Sequence, residues 1–162
     1  GMRGYFNVFA NLLVAVAAAV VYGMASFSGS PSTSLFLALF LGSVSSAAAD
    51  TVSSEIGVVG HKPYLITTFE PVPHGTNGGI TLKGEVAGFI AAVVIAATSL
   101  LLGIASLPLA AVVALAGLVG TNVDSVVGAT LENAGRIGNS GTNFIATFSG
   151  GAFALLLSYF LL

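Results

Sequence analysis

The sequence predicts an all-α integral membrane protein, a bundle of about five transmembrane helices with a polar site at one face of the membrane. Only 6% of the residues are charged and 56% are hydrophobic, whereas a soluble domain carries about 25% charged residues. Five apolar runs each approach the roughly 20 residues that a helix needs to cross a bilayer. We therefore expect residues 1–162 to form a single membrane-embedded domain.

The five expected spans are separated by local signals that break a helix. Pro31 and Ser32 precede the second span, Ser106 to Pro108 precede the fourth, and the run from Asn139 to Asn143 precedes the fifth. Such serines cap helices, and proline is tolerated in a first turn. The predicted spans cover about residues 8–24, 33–55, 86–104, 108–131 and 144–161, with a long loop over about 56–85.

The charges predict the orientation of the bundle. With five spans, the N-terminus, the long loop and the loop before the fifth span share one side of the membrane. Every cation in the chain falls on that side, namely Arg3, Lys62, Lys83 and Arg136. Because positive residues concentrate in cytoplasmic loops, we expect the polar site at the cytoplasmic face.

Composition excludes several function classes. The chain has no cysteine, which excludes disulfides and thiolate chemistry. His61 and His74 lie in one loop without a zinc spacing, so we expect structural roles for both. Four cations cannot form a basic stripe, so nucleic acid is not an expected partner. Homo-oligomerisation is compatible with so small a bundle.

Small residues are abundant within the spans, where they let helices approach closely in lipid. We expect most of them to be packing residues. They include Gly42, Ser43, Ser45 and Ser46 in the second span, and Gly117, Gly120, Gly128 and Ala129 in the fourth.

Two aspartates stand out because an acid at membrane depth is costly and is by default a functional-site hypothesis. Asp50 lies near the end of the second span, with Ser54 and Gly57 on the same helical face and Glu55 within one turn. Asp124 lies about two turns inside the fourth span. Convergence of Asp50 and Asp124 on Mg²⁺ is the functional interpretation, since Mg²⁺ binds one or two carboxylates together with phosphates. The alternative is that Asp50 merely ends a helix at the interface.

A glycine-rich segment follows in the long loop. The residues Gly75, Thr76, Asn77, Gly78 and Gly79 offer permissive dihedrals and unhindered backbone amides, which can form an anion-binding nest. Lys83 follows and could meet a phosphate. The segment is not a Walker A loop, because Gly-Lys-Ser/Thr is missing. A simple surface turn is the alternative.

Two amides in the spans leave their roles open. Asn11 in the first span and Asn143 at the start of the fifth lie near the expected cytoplasmic ends. Each either lines the site or cross-links helices.

These motifs, in this order and spacing, resemble the transmembrane family long catalogued as of unknown function that includes the plant phytyl-phosphate kinase. The resemblance covers nearly the whole chain. It is also similar, more distantly, to the pattern of CTP-using dolichol and phytol kinases and of CDP-diacylglycerol synthases. The matching segments are Val8 to Asn11, Ala49 to Gly57, Pro63 to Thr67, Val72 to Ile80, Gly117 to Leu131, and Thr142 with Asn143.

The resemblance implies a kinase that transfers the γ-phosphoryl group of CTP to an isoprenoid monophosphate in the membrane. Mg²⁺ is the expected cofactor, held by Asp50 and Asp124, and Asp50, Glu55 and Asp124 are the expected catalytic residues. Thr51, Ser54, Lys83 and the glycine-rich segment fall on the nucleotide side. Asn11, Arg136 and Asn143 fall on the acceptor side, with Arg136 assigned to the acceptor phosphate.

Other functions remain open from the sequence. A cytidylyltransferase would use the same donor but release pyrophosphate, and a prenol kinase would use an alcohol as acceptor. A small ion or solute transporter would use Asp50 and Asp124 as an ion path. The outer halves of the spans carry only Ser, Thr and Gly as polar residues, which counts against a pore.

Overall fold

The computed structural model describes residues 5–59 and 62–161. In those residues the chain forms five α-helices, each long and apolar enough to cross a membrane. The predicted polytopic helical bundle is therefore confirmed. The helices are α1 (Tyr5–Phe27), α2 (Thr33–Gly57), α3 (Leu82–Leu101), α4 (Leu107–Val127) and α5 (Asn139–Leu161).

Side-chain caps set two of the helix starts. The Ser106 hydroxyl accepts a hydrogen bond from the Leu109 amide at 3.4 Å, and α4 begins beside it with Pro108 in its first turn. The Thr81 hydroxyl accepts from the Gly84 amide at 3.0 Å, so α3 begins four residues before the expected start at 86. Lys83 therefore lies on the first turn of α3 and not in the preceding loop.

The α2 helix packs against all four of the others, and glycine makes the closest approaches possible. A Cβ atom on Gly120 of α4 would collide with the Ser46 side chain, and one on Gly42 would lie 2.9 Å from the Gly150 carbonyl oxygen of α5. On α3, a Cβ on Gly88 would lie 2.9 Å from the Ala49 carbonyl oxygen. These small residues pack the bundle, as expected for helices in lipid.

The two ends of the bundle differ in polarity. An apolar core fills the end near the α3–α4 turn, where Leu41, Leu109 and Val113 pack with Ala38, Ala96 and Ala116. Buried polar residues replace it towards the other end, including Ser45, Asp50, Thr121 and Asn143. Most of the buried polar side chains among the described residues therefore lie towards the end that carries the long loop.

The long loop contains a small sheet that the sequence did not predict. Strand β1 (Tyr64–Leu65) pairs antiparallel with β2 (Gly79–Ile80), with Tyr64 opposite Ile80 and Leu65 opposite Gly79. The Ile66 amide donates to the Gly78 carbonyl oxygen at 3.0 Å, which extends the pairing. This sheet holds the glycine-rich segment in a fixed place.

The helix α4 continues into a π-helical turn, Gly128–Glu132. There the Asn133 amide donates to the Gly128 carbonyl oxygen at 3.2 Å, five residues back. Such wide turns within helices often occur at functional sites. In this chain the turn lies directly beside the glycine-rich segment.

Candidate functional site

A polar cavity of about 220 Å³ lies at the loop end of the bundle. It is bounded by the last turns of α2 and α4, the glycine-rich segment and the start of α5. We call it the polar cavity. Its lining residues are Asp50, Ser53, Ser54, Gly57, Val58, Pro63, His74, Gly75, Thr76, Asn77, Gly78, Gly79, Ile80, Thr81, Thr121, Asp124, Ser125 and Asn139.

Both aspartates singled out by the sequence line this cavity, and helix packing explains why. The α2 and α4 helices run in the same direction, and Ser46 of α2 contacts the position of Gly120 on α4. Asp50 and Asp124 each lie four residues further along, which is about one helical turn. The close Ser46–Gly120 contact therefore brings the two carboxylates to the same wall, where Asp50 is only 9% exposed.

The glycine-rich segment is docked on the end of α4. A Cβ atom on Gly78 would lie 2.5 Å from the Ser125 carbonyl oxygen and 2.7 Å from the Ala129 amide nitrogen. The Asn133 side-chain amide also donates to the Asn77 carbonyl oxygen at 3.3 Å. The backbone of the segment therefore rests against the helix that carries Asp124.

The geometry of the segment limits which amides could bind an anion. Gly75 and Gly78 have φ angles of 83° and 77°, in the region that favours glycine. The Thr76 amide donates to the Pro73 carbonyl oxygen at 3.3 Å, and the Gly79 amide donates to Thr76 at 3.0 Å. A nest for a phosphate is thus limited to the amides of Gly75, Asn77 and Gly78.

The two expected phosphate-binding cations lie outside the cavity. Lys83 is exposed on α3 and its Nζ donates to the Val59 carbonyl oxygen at 3.4 Å, while Arg136 is exposed beyond the π-helical turn. Among the described residues that line the cavity there is no Lys or Arg, and His74 is the lining side chain that can carry a positive charge. Arg3 and His61 lie outside the described residues.

The residues present fit Mg²⁺. Two aspartates from different helices, with hydroxyl groups from Ser53, Ser125 and Thr121 on the same wall, form an all-oxygen set of donors. Mg²⁺ typically uses one or two carboxylates and completes its octahedron with phosphates and water. The described residues contain no group of three or more His, Cys, Asp or Glu side chains suited to a metal ion, so zinc-type sites are not indicated there.

The other residues expected at the site are distributed around it. Glu55 is exposed and does not line the cavity. Thr51 and Asn11 line a separate groove between α1 and α2. Asn143 is buried, and its side-chain Nδ2 donates a hydrogen bond to the side-chain Oδ1 of Asn139 at 3.4 Å. Asn143 thus contacts the cavity lining through Asn139.

Several lining residues were not found from the sequence. Thr121 lies three positions before Asp124 on one helical face, and Asn139 lies four before Asn143, so helical spacing could have indicated both. Ser125 directly follows Asp124. His74 was expected to be structural, and the structure places it in the cavity wall.

The π-helical turn is tied to α5 by one further contact. The Thr142 hydroxyl, which is fully buried, donates to a Glu132 carboxylate oxygen at 2.8 Å. Glu132 does not line the cavity. Its carboxylate instead joins the end of α4 to the start of α5, next to Asn139 and Asn143.

The fold and the cavity define a polytopic integral membrane protein with a carboxylate- and glycine-lined site at one end of its bundle. The sequence profile of the integral membrane protein family DUF92 matches residues 1–151. The chain belongs to this family.

Similar proteins come from bacteria, archaea and plants. The chain is 37% identical over 158 residues to an uncharacterised membrane protein of Synechocystis, covering 96% of this chain and 60% of the relative. It is 39% identical to an uncharacterised membrane protein of Methanocaldococcus jannaschii, covering 73% of this chain and 50% of the relative. It is 36% identical to the chloroplastic protein VTE6 of Arabidopsis thaliana, covering 83% of this chain and 41% of the relative. The chain thus spans 60% or less of each of these relatives. No solved structure matches the chain.

Proposed function

We propose that this protein is a CTP-dependent kinase of isoprenoid monophosphates, which forms an isoprenoid diphosphate at the membrane surface. One observation carries the proposal: aspartates from two helices and a glycine-rich segment line the same polar cavity in a membrane-embedded bundle. CTP as the donor and an isoprenoid monophosphate as the acceptor are inferred from the resemblance to the family of the plant phytyl-phosphate kinase.

Phosphoryl transfer depends on positioning and charge neutralisation more than on covalent chemistry by the protein. In the proposed reaction, an oxygen of the acceptor phosphate bonds to the γ-phosphorus of CTP. The bond from the γ-phosphorus to its bridging oxygen breaks, and CDP leaves with the electron pair. The acceptor oxygen is already ionised, so the reaction needs no dedicated general base.

The residues of the polar cavity have distinct roles in this proposal. Asp50 and Asp124 would hold Mg²⁺, which would supply positive charge against the donor phosphates. The amides of Gly75, Asn77 and Gly78 hold the phosphates through backbone hydrogen bonds. His74 and Asn139 also line the cavity and contact the donor in this proposal. The described lining contains no Lys or Arg, so in this proposal Mg²⁺ would supply most of the positive charge there.

The location of the site suits a reaction between a soluble donor and a lipid acceptor. The polar cavity is at the end of the bundle where the described cations lie. The positive-inside rule favours the cytoplasmic side for this end. A cytosolic nucleotide can then enter from water while the acceptor stays in the adjoining leaflet.

The test uses purified protein in detergent with Mg²⁺, γ-labelled CTP and geranylgeranyl monophosphate. Label should move into a prenyl diphosphate. The Asp50→Asn variant should lose at least about 100-fold in rate, because it removes one charge from the metal site without changing the size of the side chain. The matched control is Glu70→Gln, which makes the same change on an exposed carboxylate outside the cavity.

The products separate the proposal from its alternatives. Release of pyrophosphate with formation of a CDP-lipid would show that the protein is a cytidylyltransferase and not a kinase. Phosphorylation of geranylgeraniol in preference to its monophosphate would make the acceptor an alcohol. Equal activity in the Asp50→Asn and Glu70→Gln variants would refute the assigned metal site. Failure of CTP to bind would favour a transporter.

A further inference from the structure

A second feature of the bundle lies on a neighbouring face of α2. It is a groove of about 440 Å³ between α1 and α2, which we call the α1/α2 groove. The groove extends from Val8 and Val52 near the loop end to Ala15 and Val44 deeper in the bundle. Its volume lies within the range of about 300 to 1,000 Å³ that is usual for small-molecule sites.

The groove is apolar except at one level. Asn11 of α1 and Thr51 of α2 are its polar lining residues, and the remainder are Val, Leu and Ala. Asn11 is 9% exposed, and its Oδ1 accepts no hydrogen bond from the described residues. An amide on a membrane helix is costly and is therefore a candidate ligand contact, and its Nδ2 group is a donor that an anionic ligand can use.

The polar lining residues of the groove lie next to the polar cavity. Thr51 lines the groove, and Ser54, three positions later on α2, lines the cavity. Three residues correspond to about 60° around a helix and about 4.5 Å along it. The Ser54 hydroxyl also donates to the Thr51 carbonyl oxygen at 3.0 Å. The groove and the polar cavity are therefore separate, but their lining residues Thr51 and Ser54 are neighbours on α2.

A second groove differs from the α1/α2 groove in its lining. It has a volume of about 280 Å³ and is lined by α1, α5 and the first part of α2, with Leu13, Ala17, Phe36, Leu39 and Phe148 among its residues. None of the described residues that line it is polar. Leu39 precedes Asp50 by eleven residues, which is about 16 Å along the helix axis. On α5, however, the second groove extends to Phe144, five positions after the cavity-lining Asn139 and about 7.5 Å from it along the helix axis. The second groove therefore differs from the α1/α2 groove in its apolar lining and not in its distance from the donor.

We propose that the α1/α2 groove holds the isoprenoid chain of the acceptor, with Asn11 at the phosphate end of that chain. The assignment rests on the proposed function and adds the place of the acceptor. The Nδ2 group of Asn11 donates to an oxygen of the phosphate head group, while Ala48 and Val44 contact the hydrocarbon. The head group then reaches the polar cavity past Thr51 and Ser54, and the remainder of a long chain extends into the lipid.

The first test needs no catalysis. A geranylgeranyl monophosphate with a photoreactive group on its chain is cross-linked to the purified protein without CTP, and the modified peptides are identified by mass spectrometry. Cross-links should fall on α1 and α2 around Leu12 and Ala48. Unlabelled geranylgeranyl monophosphate should compete, and dioleoyl phosphatidate should not. Equal competition by phosphatidate, or cross-links around Phe148, would overturn the assignment.

The second test blocks the groove. Ala48→Phe should fill the groove and lower kcat/KM for geranylgeranyl monophosphate at least about tenfold, because apolar pockets discriminate by at least that factor per methylene. The same variant should keep the kcat/KM of a short-chain prenyl monophosphate and the KM for CTP. Ala17→Phe, the matched substitution in the second groove, should change none of these values. Equal losses in both variants would contradict the proposal.

The third test concerns the amide. Asn11→Leu keeps the approximate size of the side chain and should raise the KM for the acceptor at least threefold, with the KM for CTP and the melting temperature maintained. A lower melting temperature with an unchanged acceptor KM would show that Asn11 is structural and overturn its assigned role. Failure of the kinase proposal has a different signature, since cross-linking in the groove would persist without any transfer of label.

Discussion

The contact between Gly78 and α4 predicts that Gly78→Ala weakens CTP binding, and Gly75→Ala provides the matched control. In Gly78→Ala, the new Cβ atom lies 2.5 Å from the Ser125 carbonyl oxygen and 2.7 Å from the Ala129 amide nitrogen, at a φ of 77°. The backbone angle costs about 1 to 2 kcal/mol. Overpacking against a helix backbone that cannot move away adds about 1 to 3 kcal/mol. The docked position of the segment should therefore lose about 2 to 5 kcal/mol in total.

Gly75→Ala isolates the part of this cost that comes from packing. Gly75 has a φ of 83°, yet a Cβ atom there would meet nothing within 4 Å. The Gly75→Ala variant therefore has the energetic cost of the positive φ angle without a steric collision. If CTP binds only when the segment is docked, the loss of affinity follows the loss of that population. Gly78→Ala should then weaken CTP binding roughly 5- to 140-fold more than Gly75→Ala does.

The assay is the dissociation constant of CTP in the presence of Mg²⁺, measured by calorimetry on purified protein in detergent. Helix content from circular dichroism shows whether each variant is folded. Equal affinities in the two folded variants would refute the conclusion that docking of the glycine-rich segment on α4 forms the nucleotide site.

Two further substitutions test the packing that positions the cavity. Gly120→Ala should lower the free energy of unfolding by about 1 to 3 kcal/mol in thermal denaturation, because its Cβ would collide with the Ser46 side chain. The control Gly23→Ala has open space around it and should be neutral or stabilising, so a similar loss in both would argue against the contact. Thr142→Val removes the hydrogen bond to Glu132 and should lower the free energy of unfolding by about 1 to 3 kcal/mol. An unchanged melting temperature would show that this hydrogen bond adds nothing to the bundle.

Local sequence signals were most reliable where a helix depends on its own residues. The apolar runs predicted five membrane helices, because length and hydropathy are properties of one segment at a time. The Ser106–Pro108 signal correctly separated α3 from α4. The start of α3 differed from expectation, since the loop was expected to extend to residue 85 while the Thr81 cap begins the helix at Leu82.

The candidate site shows where such signals are insufficient. Asp50, Asp124 and the glycine-rich segment were singled out by residue type, and the structure places all three on one cavity. Lys83 and Arg136 were singled out by charge alone and lie outside it. The charge of a residue does not predict where its side chain points, because that depends on the helix face that carries the residue and on the neighbouring residues.

The sequence by itself determined that this chain is a membrane-embedded helical bundle with its polar groups at one end, because the bilayer imposes length and hydropathy on each helix separately. Only the tertiary structure decided that Asp50 and Asp124 share a wall, since their meeting depends on the Ser46–Gly120 contact between α2 and α4. It also decided that the glycine-rich segment docks on α4 and that Asn11 faces a groove. These are distances between segments far apart in the chain, and packing of small residues sets them.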